Sequence, residues 1–158
     1  MKKYLIALAL CLLSLAVHAD LREQAKQAAV ADAATTAVGL AAGAAEMNPV
    51  GPIVAVAIKP LVLRYISSLP EEQQASAHAA VSSVWGGAAA NNLCVIVSIL
   101  TSGGFGPVCV AVGVAWGWKT WKDSEPERIF WEEGCPMLRQ FAGDPDMQCI
   151  YRPVARAE

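Results

Sequence analysis

The sequence predicts an all-α protein in which two helical hairpins form a small four-helix membrane bundle, followed by a short disulfide-closed C-terminal tail. Three observations carry that prediction. No Asp, Glu, Lys or Arg occurs from Ala79 to Trp118, and the run is interrupted only by Thr101-Ser102-Gly103-Gly104-Phe105-Gly106-Pro107, the composition of a tight turn between two membrane-length helices. Upstream, two weakly charged segments flank Asn48-Pro49-Val50-Gly51, which reads as a second hairpin. Downstream, the chain changes to a Pro- and Trp-containing charged tail that holds two cysteines.

The totals agree. With 158 residues, 55% hydrophobic, 16% charged and a net charge of -2, the chain fits one domain and excludes disorder. A charged fraction below the roughly 25% of soluble domains, with no basic excess, argues against nucleic-acid binding and for a membrane or secreted protein.

Taken in order, Lys2 and Lys3 precede the apolar run Tyr4 to Leu13, and Val17-His18-Ala19 ends it with small residues before Asp20. Residues 1–19 therefore read as a secretory signal peptide cleaved after Ala19, which also removes Cys11. Residues 20–121 form the expected membrane domain. Its first arm runs from Gln27 to Glu46 with Asp32 as the internal charge, and its second from Pro52 to Leu69, carrying Lys59, Arg64 and a kinking Pro60. Ala79 to Leu100 and Val108 to about Trp121 are the third and fourth. The last ends in Trp116, Trp118 and Trp121, residues suited to the headgroup layer, beside Lys119 and Lys122. In the tail, residues 122–158, Ser124-Glu125-Pro126-Glu127 reads as a capping box opening a short helix that stops at Gly134. Asp144-Pro145-Asp146 reads as a turn. Parity of crossings places the tail in the periplasm of a bacterial inner-membrane protein, although the expected inner loops lack the Lys and Arg that would fix the orientation.

An exported chain permits disulfides. Cys135 and Cys149 lie in the polar tail and would close a loop of about 15 residues, worth roughly 3 kcal/mol on the chain-entropy account. Cys94 and Cys109 sit in apolar segments, where a free cysteine behaves as a small hydrophobe. With no C-x-x-C, and His78 the one histidine beyond the leader, neither a metal site nor a cofactor is expected.

The candidate site is a polar stripe. Asp32, Thr36, Gly39, Gly43 and Glu46 follow spacings of 4, 3, 4 and 3, which places them within an arc of about 80° on a helix. Gly39 and Gly43 make a G-x-x-x-G groove for close helix approach, a spacing that Gly113 and Gly117 repeat. In an antiparallel hairpin Lys59 falls near the level of Gly39 and Arg64 near Asp32. The expected pairs are thus Asp32 with Arg64, and Lys59 with an end-on carboxylate or with Asn91 and Asn92.

The series Asp32-x-x-Thr35-Thr36, Gly43-x-x-Glu46-x-Asn48-Pro49, then Lys59 and Asn91 or Asn92, resembles an uncharacterised family of small bacterial multi-helix membrane proteins, over about Asp32 to Ile96. That resemblance implies a membrane bundle with these polar residues facing inward, and it brings no reaction. The chain lacks G-x-S-x-G, H-E-x-x-H, P-loop and dinucleotide fingerprints, so it reads as a non-enzyme. His78, behind Ser76, reads as an interfacial or capping residue. The expected function is association in a lipid bilayer, with a protein partner or by self-association through the glycine faces, with Phe130, Trp131 and Phe141 as anchors in the tail. The alternatives are an oligomeric ion or proton path lined by Asp32, Glu46 and Lys59, an exported membrane-active toxin, and a soluble periplasmic helical protein.

Overall fold

The computed structural model describes residues 20–43, 51–101 and 106–152. Residues 1–19, expected to be a signal peptide, Glu46, Asn48-Pro49-Val50 and residues 102–105, where turns are expected, lie outside them. Every regular element among the described residues is helical.

Helix α1, Leu21–Ala41, opens on Asp20, whose carboxylate accepts the Glu23 amide at 2.8 Å and so satisfies one of the free donors of the first turn. It ends at Ala42 and Gly43, the latter at φ +92, a left-handed conformation that glycine adopts without a Cβ penalty. Gly43 therefore terminates the helix instead of extending its glycine stripe. Helix α2, Gly51–Ile66, runs through Pro60. Ser67 and Ser68 close it by donating to Leu63 O and Tyr65 O. Helix α3, Glu71–Leu100, follows Pro70 and carries Glu71 and Glu72 in its first turn, where carboxylates suit the helix dipole. It begins eight residues before the expected Ala79, because loss of charge marks an apolar stretch and not a helix start.

Helix α4, Gly106–Asp123, continues almost unbroken into α5, Glu125–Ile129, a π-helical turn at Phe130–Gly134, and α6, Cys135–Ala142. The expected capping box does not form. Ser124 has helical angles and donates to Trp121 O, while Glu127 accepts the Leu21 amide at 3.4 Å. Gly134 does not stop the helix either: the stop is Gly143, at φ +67. Asp144 then accepts from the Asp146 and Met147 amides, giving the expected turn.

Helix α3 is the centre, with α1 parallel to it on one side and α4 antiparallel on the other, and α2 leans mainly on α1. Small residues set the spacing. A Cβ on Gly87 would lie 2.7 Å from Gly113 O, one on Gly113 would lie 2.8 Å from Gly87 O, and one on Gly117 would lie 2.8 Å from Ser83 O. At the lower end Leu21, Ala75 and Ala79 form a core with Trp121 and Trp131 against it. These contacts do not confirm the four-helix bundle expected from the hairpins: α1 and α4 lie on either side of α3 and leave a groove of about 540 Å³ between them. The floor of that groove is made of Gly86, Ala89 and Ala90, which carry too little volume to bridge it.

The large apolar side chains point the other way. On α4, Val110 and Val114 are 60% and 67% exposed while Cys109 and Gly113 are buried. Among the described residues α3 alone is long and apolar enough to cross a membrane, and only 28% of its most apolar window is buried.

Candidate functional site: a buried polar junction of three helices

Asp32 on α1, Lys59 on α2 and Asn92 on α3 meet midway along the helices. Lys59 Nζ lies 2.7 Å from Asp32 Oδ2, with the two residues 5% and 8% exposed. Asn92 Nδ2 donates towards Asp32 Oδ1 at 3.2 Å, Thr36 Oγ1 at 3.0 Å and Thr35 Oγ1 at 3.4 Å. The Thr35 hydroxyl spends its own proton on Ala31 O at 2.9 Å, so it is free to accept from Asn92. Local sequence explains the convergence: Asp32, Thr35 and Thr36 are three and four apart on one helix face.

Chemically, the junction is a closed charge pair. Each ion offsets the other, and Asn92 fills the second carboxylate oxygen, the condition under which a buried pair is tolerated. Taking away one partner leaves a charge with no water to solvate it.

Lys59, Thr36, Asn92 and Asp32 are thus brought together, but the expected partners differ. Asp32 pairs with Lys59, and Arg64 is exposed, because five residues along a helix turn a side chain by about 140° away from Lys59. Asn91 faces α4, with its Cβ 2.9 Å from where a Gly113 Cβ would be. Gly39 is buried, Gly43 is exposed at the helix end, and Glu46 is outside the described residues. Gly113 and Gly117 are covered by α3 of the same chain, so that glycine face is occupied internally.

Both cysteine pairs are at bonding distance. Cys135 and Cys149 join α6 to the following segment with Cα atoms 5.9 Å apart, as expected. Cys94 and Cys109 also pair, with Cα atoms 5.2 Å apart, which corrects their reading as free thiols. Part of their signal was available: the two residues flank the expected turn on the two arms of one antiparallel hairpin.

The lower end is polar and aromatic. Ser76 hydrogen-bonds Glu132, and Arg139 Nη2 pairs with Glu71 at 2.6 Å, which ties the tail to the start of α3. Arg128 stacks 3.8 Å above the Trp121 ring. His78 is no cap: it is buried, and neither ring nitrogen has a hydrogen-bond partner. Phe130 packs edge-on against Trp131 and beside Tyr151, whereas Phe141 is 91% exposed. Burial pushes the Glu127 carboxyl above the ordinary glutamate value, and the Leu21 amide and Trp131 only partly offset that. No cluster of three metal-ligating side chains occurs among the described residues.

Comparison with known proteins leaves these observations to stand alone: no family model, curated protein or solved structure matches the chain. The resemblance over Asp32 to Ile96 accordingly rests on its own residues.

Proposed function

We propose that this chain is a small exported helical protein of the bacterial inner membrane that acts by association, as a subunit of an envelope assembly or as a homo-oligomer, without catalysis. The observation that carries the proposal is the inverted distribution of side chains. Polar and small residues, among them Asp32, Lys59, Thr35, Ser98, Cys109 and Gly113, are inside, while Val84, Val97, Val110, Val114 and Trp118 face out. Water penalises that arrangement. Hydrocarbon favours it, because helices in lipid pack through small residues and paired polar groups. The mutual neutralisation of Asp32 and Lys59 supports a helix lock over an ion path, which needs charges that a passing ion can reach.

With Gly113 and Gly117 already covered, an exposed surface suited to a partner is the valine face of α4. Photocrosslinking from Val114 in membranes tests this. A crosslink to a discrete protein or to a second copy is the expected result, and labelling of lipid alone contradicts association.

One observation favours a second reading, an exported bundle lying wholly on the oxidising side. Ser76, which touches the tail, and Cys94 are 18 positions apart on α3, about 27 Å along its axis. The two disulfides are therefore near opposite ends, and both need an oxidising compartment. Alkylation of cells before and after reduction separates the readings: an oxidised Cys94–Cys109 pair in protein that alkaline washing releases favours the second.

A further inference from the structure

The groove between α1 and α4 is graded along its length. At one end Glu23 and Lys26 of α1, paired at 3.0 Å, face Lys119 and Asp123 of α4, also paired. At the other end the walls and floor are Val30, Ala31, Ala89 and Leu93, with Trp116 between the two zones. From Ser82 to Leu93 the floor extends about 16 Å at the helical rise.

A polar group is also aimed into this trough. Ser82 is only 3% exposed, lines the groove at its charged end, and its hydroxyl has no hydrogen bond among the described residues. The hydroxyl is open to the groove and not sealed in the protein, so a ligand lying there can meet it.

We infer that the groove binds one glycerophospholipid with a zwitterionic headgroup. An acyl chain lies along the Ala31, Ala89 and Leu93 trough, an ester or phosphate oxygen accepts from Ser82, and the headgroup sits between the two ion pairs. Charge complementarity selects this occupant. Each lysine is matched by a carboxylate, so the mouth offers both signs and suits a head carrying phosphate and ammonium better than one with a net charge. Trp118 and Trp121 follow Trp116 on α4 towards the charged end, at the depth where aromatic side chains meet headgroups.

The inference rests on the membrane reading for its source of lipid, and its test is separable from that reading. Protein purified in detergent is titrated with palmitoyl-oleoyl phosphatidylethanolamine, and in parallel with the phosphatidylglycerol analogue, and bound lipid is counted by native mass spectrometry. The expected result is one phosphatidylethanolamine per chain, retained at least tenfold more tightly than phosphatidylglycerol. Ala31→Phe, which fills the trough, should weaken retention tenfold or more. The surface pair Lys26→Ala with Lys119→Ala, which leaves the floor intact, should erase the headgroup preference. Equal retention by wild type and Ala31→Phe, or equal binding of both lipids to wild type, would overturn the inference. If the protein proves to need no detergent, the same titration in buffer with lyso-phosphatidylethanolamine reads the groove directly, and the same two outcomes decide it.

Discussion

At the scale of single residues, the strongest consequences come from the Asp32–Lys59 pair. Lys59→Met should destabilise the fold by about 3–5 kcal/mol, because it strands a carboxylate that is 8% exposed. The double variant Asp32→Leu with Lys59→Met should recover most of that loss. Thermal or denaturant unfolding in detergent, read as a double-mutant cycle, checks both. Glu127 gives a pH signature. Its folded carboxyl titrates above the unfolded one, so the folded state holds its proton longer. Its contribution is therefore complete below the ordinary glutamate range and is lost as pH rises through the raised value. Glu127→Gln should flatten that decline and stabilise the protein at neutral pH, measured as melting temperature against pH. Asp32, Thr36, Lys59 and Asn92 could be read from the sequence because polar residues in apolar helices have few places to go. Which cation meets Asp32 could not be read, since a five-residue step between Lys59 and Arg64 exchanges helix faces and only packing shows which face is inside.

At the scale of elements, the α3–α4 contact depends on bare backbone. Gly87→Ala puts a methyl 2.7 Å from the Gly113 carbonyl, and neither helix can yield without moving whole. A loss of about 1–3 kcal/mol is expected in the same unfolding assay, whereas Gly86→Ala, whose methyl meets the Trp116 ring at 3.6 Å and Thr120 Oγ1 at 3.9 Å, both ordinary contacts, should be nearly neutral. The tail supplies a redox test. Cys135→Ser should cost roughly 3 kcal/mol of tail stability on the loop-entropy account and expose residues 135–149 to protease, an effect that reduction of the wild type should reproduce. Helix existence was legible from the uncharged runs and the turn residues. Helix ends were less so. Gly134 keeps helical angles where the π-helical turn passes into α6, and Ser124 lost its capping role once α4 ran straight into α5. Cys94 and Cys109 look like core residues until the hairpin register is known.

At the scale of the whole molecule, the all-helical class followed from composition and periodicity, but the arrangement of helices did not. Two hairpins suggest a four-helix bundle, which the contacts do not confirm; the small residues of α3 let α1 and α4 lie on either side of it and leave a trough between them. Hydrophobic pattern cannot distinguish these arrangements, because Ala and Gly serve equally as core, contact and floor. The account as a whole depends on what surrounds the exposed valines and tryptophans of α3 and α4. The most direct measurement is alkaline carbonate extraction of membranes from cells making the full chain, followed by sedimentation of the purified protein with and without detergent. The account predicts that the protein stays in the carbonate-washed pellet and sediments as a defined species only in detergent. Release by carbonate, together with a monodisperse monomer in detergent-free buffer, would contradict it.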